Sequence, residues 1–352
     1  YFTTTDVSEG EPLESLPEIA HEFDAVIAVI GNSHYHLTIL EALARLRSTS
    51  TTPTIVIAHD TRMIEYYTAL RSKAGAEALM LRGQEQRELD PSFDEQLEDM
   101  RLLQNAGMWE VAHLADHLVM HAVGASERIE RETGVTPTLL PFAYYRSPDL
   151  STISATSRAE ARERIGVPEQ DLFLATLGYI DTRTKMTDVV VEAAAWLTQW
   201  GHRVNLHLVG AAPAELERSL TKRAEQAGLQ DFRITGFVDE ATFRDYLLGI
   251  DLGVQLRISP MLGVSGPLAD MAAFGTPAVA SRGLAVDIDA PEYIYRLPEN
   301  VSPLLVAEAI EEAQMSPPDA ATIEMQRAEY LQQLSPEVYA RRLLQVLKEV
   351  LS

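Results

Sequence analysis

Two short runs, DAVIAVI (Asp24 to Ile30) and TIVIAHD (Thr54 to Asp60), are apolar throughout most of a buried strand's length, and a helically spaced segment, HLTILEALARL (His36 to Leu46), separates them. Such a pattern leaves few options. Strands separated by helices argue for βαβ units and a parallel sheet, since a parallel connection needs a crossover of about a dozen residues. The rhythm continues through HLVMHAV (His117 to Val123) and TPTLLP (Thr136 to Pro141). It restarts later with LFLATLG (172–178), VNLHLVG (204–210), FRITGFV (232–238), LGVQLR (252–257), PAVAS (277–281) and EYIYRL (292–297), again with helical stretches between them. These alternations predict an α/β chain of two doubly wound parallel-sheet domains.

Between the two series lies FAYYRSPDLSTISATS (142–157), rich in Ser and Thr and without periodicity, which reads as a linker. The expected division is a first domain over 1–148, a second over 149–318, and C-terminal helices over 319–352 that cross back to the first. A length of 352 residues is ample for two cores. Arg62 to about Met108 reads as one long helix-prone region, acidic in its second half. Nothing before Asp24 looks like a strand with a Gly-rich turn, so the first domain is expected to be truncated or reduced. About one βαβ unit before Tyr1 would cover the unpaired sheet edge.

Charge narrows the partners. Acidic residues number 52 against 29 basic ones, a net charge of -23, which disfavours nucleic acid and anionic lipid surfaces. A ligand bearing phosphate must therefore meet a local concentration of cations. Only Lys73, Lys185, Lys222 and Lys348 are lysines, and there is no cysteine, which removes disulfides, thiolate nucleophiles and Cys-ligated zinc. No apolar run approaches the roughly 18 residues of a membrane span. With no signal-peptide pattern either, a cytoplasmic location is expected. An acidic face leaves room for a protein partner or a homo-oligomer. His113, His117 and His121 stand four residues apart, but a strand beginning near His117 scatters them, so no metal is expected.

Several residues fall just beyond strand ends, where doubly wound sheets bind ligands. Gly263, Val264, Ser265 and Gly266 open a small-residue helix whose free N–H groups and positive dipole end suit a diphosphate. Arg183, Lys185 and Arg257 are placed to add positive charge. The same small residues could serve packing alone. In the first half, Asn32, Ser33 and His34 follow a strand and could meet a ligand or cap the next helix. His59, with Asp60 beside it, ends another strand; it could face a ligand or satisfy a backbone carbonyl.

Taken in order, LATLGYIDTRTK, LHLVGAAP, FRITGFVDEATFRDYLLGIDLGVQLR and GVSGPLADMAAFGTPAVAS resemble the nucleotide-sugar domain of the retaining GT-B glycosyltransferases of family 4, over Leu172 to Ala313. The resemblance implies two Rossmann-like domains facing across a cleft. It implies hexosyl transfer from a UDP- or GDP-linked sugar, with retention and without a further cofactor, to a glycan, lipid, protein or small-molecule acceptor in polysaccharide or glycoconjugate biosynthesis. By the same resemblance Lys185 and Arg183 stabilise the departing diphosphate with the 263–266 loop and Arg257, and Gly210 closes the Val-Gly turn. Thr235, Phe237 and Val238 meet the base, Asp270 holds the ribose where the family has Glu, and His59 lines the acceptor side. Leu262 occupies the family's other Glu position, which supports an alternative: a non-catalytic relative that binds nucleotide or acts as a scaffolding subunit.

Overall fold

The computed structural model describes residues 2–3, 11–33, 36–80, 92–150, 153–229, 231–258 and 263–352. His34 and Leu262 lie outside the described residues. Two compact units result, one of residues 1–142, 260–264 and 337–352, the other of 143–259 and 265–336. The division thus falls at Phe142 rather than 148. The backbone N–H of Tyr144 donates to Leu334 O at 3.2 Å, which ties the first part of the expected linker to the second unit. Only the last helix, Pro336–Val350, goes with the first unit; helix Ala320–Gln333, also expected to cross back, stays with the second. The buried Arg327 of that helix donates to Phe274 O at 3.4 Å, inside the second unit.

In the first unit β1 (Phe2–Thr3) and β2 (Glu11–Pro12) make a short parallel pair. The main sheet consists of β3 (Val26–Ile30), β4 (Thr54–Ala58), β5 (His117–Met120) and β6 (Thr138–Leu139), parallel and in that order. Every residue of β4, Thr-Ile-Val-Ile-Ala, is buried, as β-branched residues on an inner parallel strand should be. One face is covered by helix Pro336–Val350, whose Tyr339, Leu343, Val346 and Leu347 pack on Ile55, Ile57, Val119 and Leu140. The 62–108 region is not one helix. Helix Ile64–Met80 breaks at Ser72, which has φ 72°; helix Phe93–Glu98 starts afresh from a Ser92/Glu95 capping box; and Gly107 turns the chain at φ 71°. Capping and turn residues override the region's helical propensity.

The second unit carries six parallel strands: β7 (Leu172–Leu177), β8 (Val204–Val209), β9 (Asp231–Ile234), β10 (Leu252–Gln255), β11 (Ala278–Ser281) and β12 (Ile294–Leu297). Their spatial order is β12-β11-β10-β7-β8-β9. The chain builds outward from β7 to β9, then returns to the other side of β7 to lay down β10. Buried side chains stitch the seam, Thr176 Oγ1 to Val254 O at 3.0 Å and Gln255 Nε2 to Leu177 O at 3.2 Å. Helix Gly266–Phe274 packs tightly here, with Ala269, Ala272 and Ala273 fully buried. The Met271 side chain of that helix fills the space beside Gly253 of β10, its Sδ 2.4 Å from where a Cβ would stand. Among the described residues no helix is long and apolar enough to cross a membrane.

Candidate functional site

The reversal of strand order between β7 and β10 is a topological switch point, and ligands bind outside the carboxyl ends of strands at such points. Beyond β7, Gly178 turns at φ 100°; a Cβ added there would lie 3.4 Å from both Lys185 Nζ and Pro267 Cγ. Lysine and helix start therefore flank one glycine. Ser265 caps the helix, its Oγ accepting from Leu268 N at 3.4 Å, and Ala269 N bonds Ser265 O at 3.0 Å. Pro267 has no N–H, which leaves the Gly266 N–H as the first-turn donor for a ligand. Gly210, beyond β8, has its own reason to be glycine: a Cβ would fall 2.0 Å from Gly178 O.

Lys185 Nζ donates to Tyr179 O at 2.8 Å. Burial, reinforced by the nearby Arg257 guanidinium and opposed by Asp181, lowers its pKa to about 8. Asp181 shapes the loop: its carboxylate accepts from Arg183 N at 3.0 Å and from Thr184 N at 2.9 Å. Burial works to raise its pKa, and the bonds from Thr184 and Arg183 more than reverse this. Met186, next to Lys185, adopts the left-handed conformation at φ 53°, a strained backbone of the kind that clusters at binding loops. Of the expected basic pair, Lys185 is half-buried against the seat while Arg183 is exposed. Arg257 follows β10, where Ser281 Oγ accepts from its N–H at 2.8 Å. Gly263 and Val264 group with the first unit, Gly263 near Thr61, so the second unit's own seat comprises Gly178, Lys185, Ser265 and Gly266.

Past β9, Thr235 N bonds Leu208 O at 3.0 Å, Gly236 turns at φ 69°, and Phe237 projects with 91% of its surface exposed. Val238 is half-buried. Asp270 reaches the same edge, but its carboxylate has no solvent-exposed surface. Both of its oxygens are engaged, Oδ2 by Arg146 Nη1 at 2.5 Å and Oδ1 by Arg146 N at 3.2 Å. Burial raises its pKa, and the Arg146 guanidinium opposes the shift. Arg146 also stacks on Phe243 at 4.1 Å and donates from Nε to Glu240. The sequence reading missed Gly178, Arg146 and Glu240. Gly178 was legible as the glycine ending an apolar strand.

In the first unit, His59 N bonds Ile30 O at 2.9 Å, and its exposed ring lies 5.3 Å from His121 and 6.4 Å from Phe142. Burial lowers its pKa, opposed by the Asp60 charge and reinforced by His36. His121 is buried, and its Nδ1 bonds Leu140 O at 2.8 Å, which fixes the proton on Nδ1. Asp60 Oδ2 accepts from Asn32 N at 2.7 Å, and a Cβ on Gly31 would lie 3.2 Å from both Asp60 Oδ2 and His36 Nε2. Asn32 neither caps the following helix nor presents its amide: Oδ1 accepts from Tyr66 N at 2.9 Å and Nδ2 donates to Glu65. Ser33 offers its carbonyl to His36 N at 3.2 Å. The next helix, Ile39–Thr49, starts later and has no side-chain cap. His36 and His121, which face this cluster, were not among the expected site residues. His113, His117 and His121 are spread over a helix, a strand start and a strand end, and no metal-capable group of three assembles among the described residues.

Residues 172–313 match the family model described as Glycosyl transferases group 1. A D-inositol 3-phosphate glycosyltransferase from Thermobifida fusca is 27% identical over 177 residues, 48% of this chain and 40% of that protein. The chain thus spans less than half the length of this curated relative. Anabaena Alr3699/HepE, solved in complex with UDP and glucose, superposes with a TM-score of 0.67 at 15% identity, covering 96% of this chain and 80% of that one. Sucrose-phosphate synthase from Thermosynechococcus elongatus superposes at 0.64 with 16% identity, covering 96% and 77%. With two parallel-sheet units and these structural likenesses the chain has the GT-B fold, and its 172–313 segment is similar to the group 1 glycosyl transferases.

Proposed function

We propose that this protein transfers a hexosyl group from a UDP- or GDP-linked sugar to an acceptor, without a cofactor beyond that co-substrate. The observation that carries this reading is the half-buried Lys185 ammonium set beside Gly178 and the first turn of helix Gly266–Phe274, at the switch point of the sheet. In the transfer, the bond from the sugar's anomeric carbon to the phosphate oxygen breaks as a bond to an acceptor hydroxyl oxygen forms. The leaving diphosphate gains negative charge. Lys185, Arg257 and the helix dipole are placed to stabilise that charge, with Arg183 a mobile addition at the rim. The acceptor attacks on the face from which the diphosphate departs and its proton passes to that phosphate, so that no protein nucleophile is required and the anomeric configuration is retained, as in family 4. His59 and Asp60 serve the acceptor side, for a glycan, lipid, protein or small molecule, in a cytoplasmic protein.

Calorimetric titration of UDP, GDP and ADP against the wild type and Lys185→Ala tests the seat. One nucleotide should bind selectively, and the variant should lose about 1.5–3 kcal/mol of affinity. Absence of binding by all three in a folded sample refutes the reading.

The sealing of Asp270 by Arg146 favours a second reading, a non-catalytic relative that binds nucleotide as part of a glycosylation system. Binding without hydrolysis or transfer of the matching nucleotide sugar would select it.

A further inference from the structure

Asp270 cannot accept a ligand's hydroxyl hydrogens in this structure, because no part of its side chain is exposed and both oxygens are held by Arg146. The guanidinium does not end there. Stacked on Phe243 at 4.1 Å, it donates from Nε to both oxygens of Glu240, at 3.1 and 3.0 Å. Glu240 is 51% exposed and receives a second bond from Arg244 Nε at 3.0 Å. It is the first residue of helix Glu240–Gly249, two positions after Val238. Arg146 therefore connects a carboxylate sealed beneath the surface to one that is presented at it, and both belong to the second unit.

The order of these groups within that unit matters. Lys185 lies by Pro267; Asp270 follows Pro267 by about one helical turn; Arg146 covers Asp270; Glu240 is bound to Arg146; and the Thr235–Val238 turn, with its exposed Phe237, adjoins Glu240. A nucleoside diphosphate presents anionic oxygens, then a pair of hydroxyl donors, then a flat base, in the same order. An ionised carboxylate is an acceptor for both hydroxyls of a vicinal diol. Resting on the nucleotide-site reading above, we infer that Glu240, held in place by Arg146, is the residue that accepts the ribose hydroxyls, with Asp270 as the buried anchor of Arg146. Glu240 is then a binding residue and Arg146 a positioning residue.

The test compares UDP, GDP and ADP with their 2′,3′-dideoxy forms by calorimetry, on the full chain as wild type, Glu240→Gln and Arg146→Lys. For the nucleotide that binds, the wild type should prefer the ribose form by roughly 10-fold or more, as expected for a hydrogen bond to a charged group. In Glu240→Gln that preference should fall to about threefold or less, while affinity for the dideoxy form stays within about twofold of wild type. Arg146→Lys, which keeps the charge but loses the fork and the stacking, should shrink the preference in the same direction. A preference that survives Glu240→Gln, or an equal loss for both forms, overturns the inference and leaves the nucleotide site standing. A wild type that binds both forms equally does the same. Failure of the wild type to bind any of the nucleotides overturns both readings together.

Discussion

The carbonyl oxygen of Gly178 occupies the space in which a side chain on Gly210 would begin, 2.0 Å from the position of its Cβ. The obstruction is backbone on both sides and cannot be relieved by a rotamer change. Gly210→Ala is expected to push the tips of β7 and β8 apart. Overpacking of this kind costs about 1–3 kcal/mol, a fall in Tm of roughly 2–12 °C for a domain of this size. Nucleotide affinity should drop at least ~10-fold, because Gly178 sets the distance between Lys185 and the helix start. Thermal unfolding with and without nucleotide measures both effects; an unchanged affinity would mean that the seat does not depend on this approach.

Lys185 makes stability and binding respond to pH in opposite senses. Its folded-state pKa is lowered to about 8 from an ordinary 10.5. Below about pH 8 the lysine is charged whether the chain is folded or unfolded, and the folded protein bears the desolvation penalty. Between about 8 and 10.5 the unfolded state holds more protons, so this residue's contribution favours folding increasingly as pH rises. Nucleotide affinity should instead weaken as pH rises above 8, since the neutral amine no longer attracts phosphate. Calorimetry from pH 7 to 9.5 should show this weakening in the wild type, with a flatter profile in Lys185→Ala.

His207 lies fully buried in β8, its Nδ1 3.0 Å from Tyr246 Oη, and burial lowers its pKa from 6.5 to about 3, the Arg233 charge adding to the effect. A histidine held neutral in the fold but free to protonate in the unfolded chain stabilises fully above about pH 6.5. That contribution is lost as pH falls from there toward 3, at up to ~1.4 kcal/mol per unit. Urea midpoints at pH 7, 5.5 and 4.5 should decline along this slope. His207→Gln should be less stable at pH 7 and show a shallower decline; an identical slope would assign the acid sensitivity elsewhere.

Arg162 is a buried cation that gathers the ends of several segments. Its Nη1 donates to Asp251 Oδ2 at 3.0 Å and Gly249 O at 3.2 Å, and its Nη2 to Pro168 O at 2.6 Å and Asp171 O at 2.7 Å. Arg162→Ala should cost about 3–5 kcal/mol, since it leaves Asp251 and four carbonyls, Glu169 O at 3.4 Å among them, without this donor. Arg158, which also reaches Asp251 but is 39% exposed, should cost about 1 kcal/mol or less on the same change. Chemical denaturation separates the two, and equal losses would show that burial does not set the difference.

What the sequence made legible follows from how local each signal is. The strands could be read because continuous apolar runs such as Thr54–Ala58 and Val204–Val209 fill inner positions of parallel sheets. Lys185, Gly210 and Gly266 stood out because each lies in the segment that leads from a strand into the next helix. Contacts set by tertiary structure could not be read in this way. Arg146 and Asp270 stand 124 residues apart, and nothing in either segment announces their pairing. Asn32 looked like a cap because it follows a strand before a helix; its amide is instead claimed by Tyr66 and Glu65, more than thirty positions away. The 62–108 region misled for the reverse reason, since its helical composition is cut by Ser72, Ser92 and Gly107.

The return of the chain across β7 also means that the two halves of the proposed nucleotide seat come from distant parts of the sequence. Half of the proposed seat, Gly178 and Lys185, lies between β7 and β8 in the chain, while the other half, Ser265 and Gly266, follows β10, which pairs back onto β7, Leu252 against Leu174. Closing so distant a contact is among the slower steps of assembling a parallel sheet. A nucleotide bound at the proposed seat would therefore recognise the completed domain rather than any stage on the way to it. Such a ligand would slow unfolding of the finished protein while leaving its rate of formation unaltered.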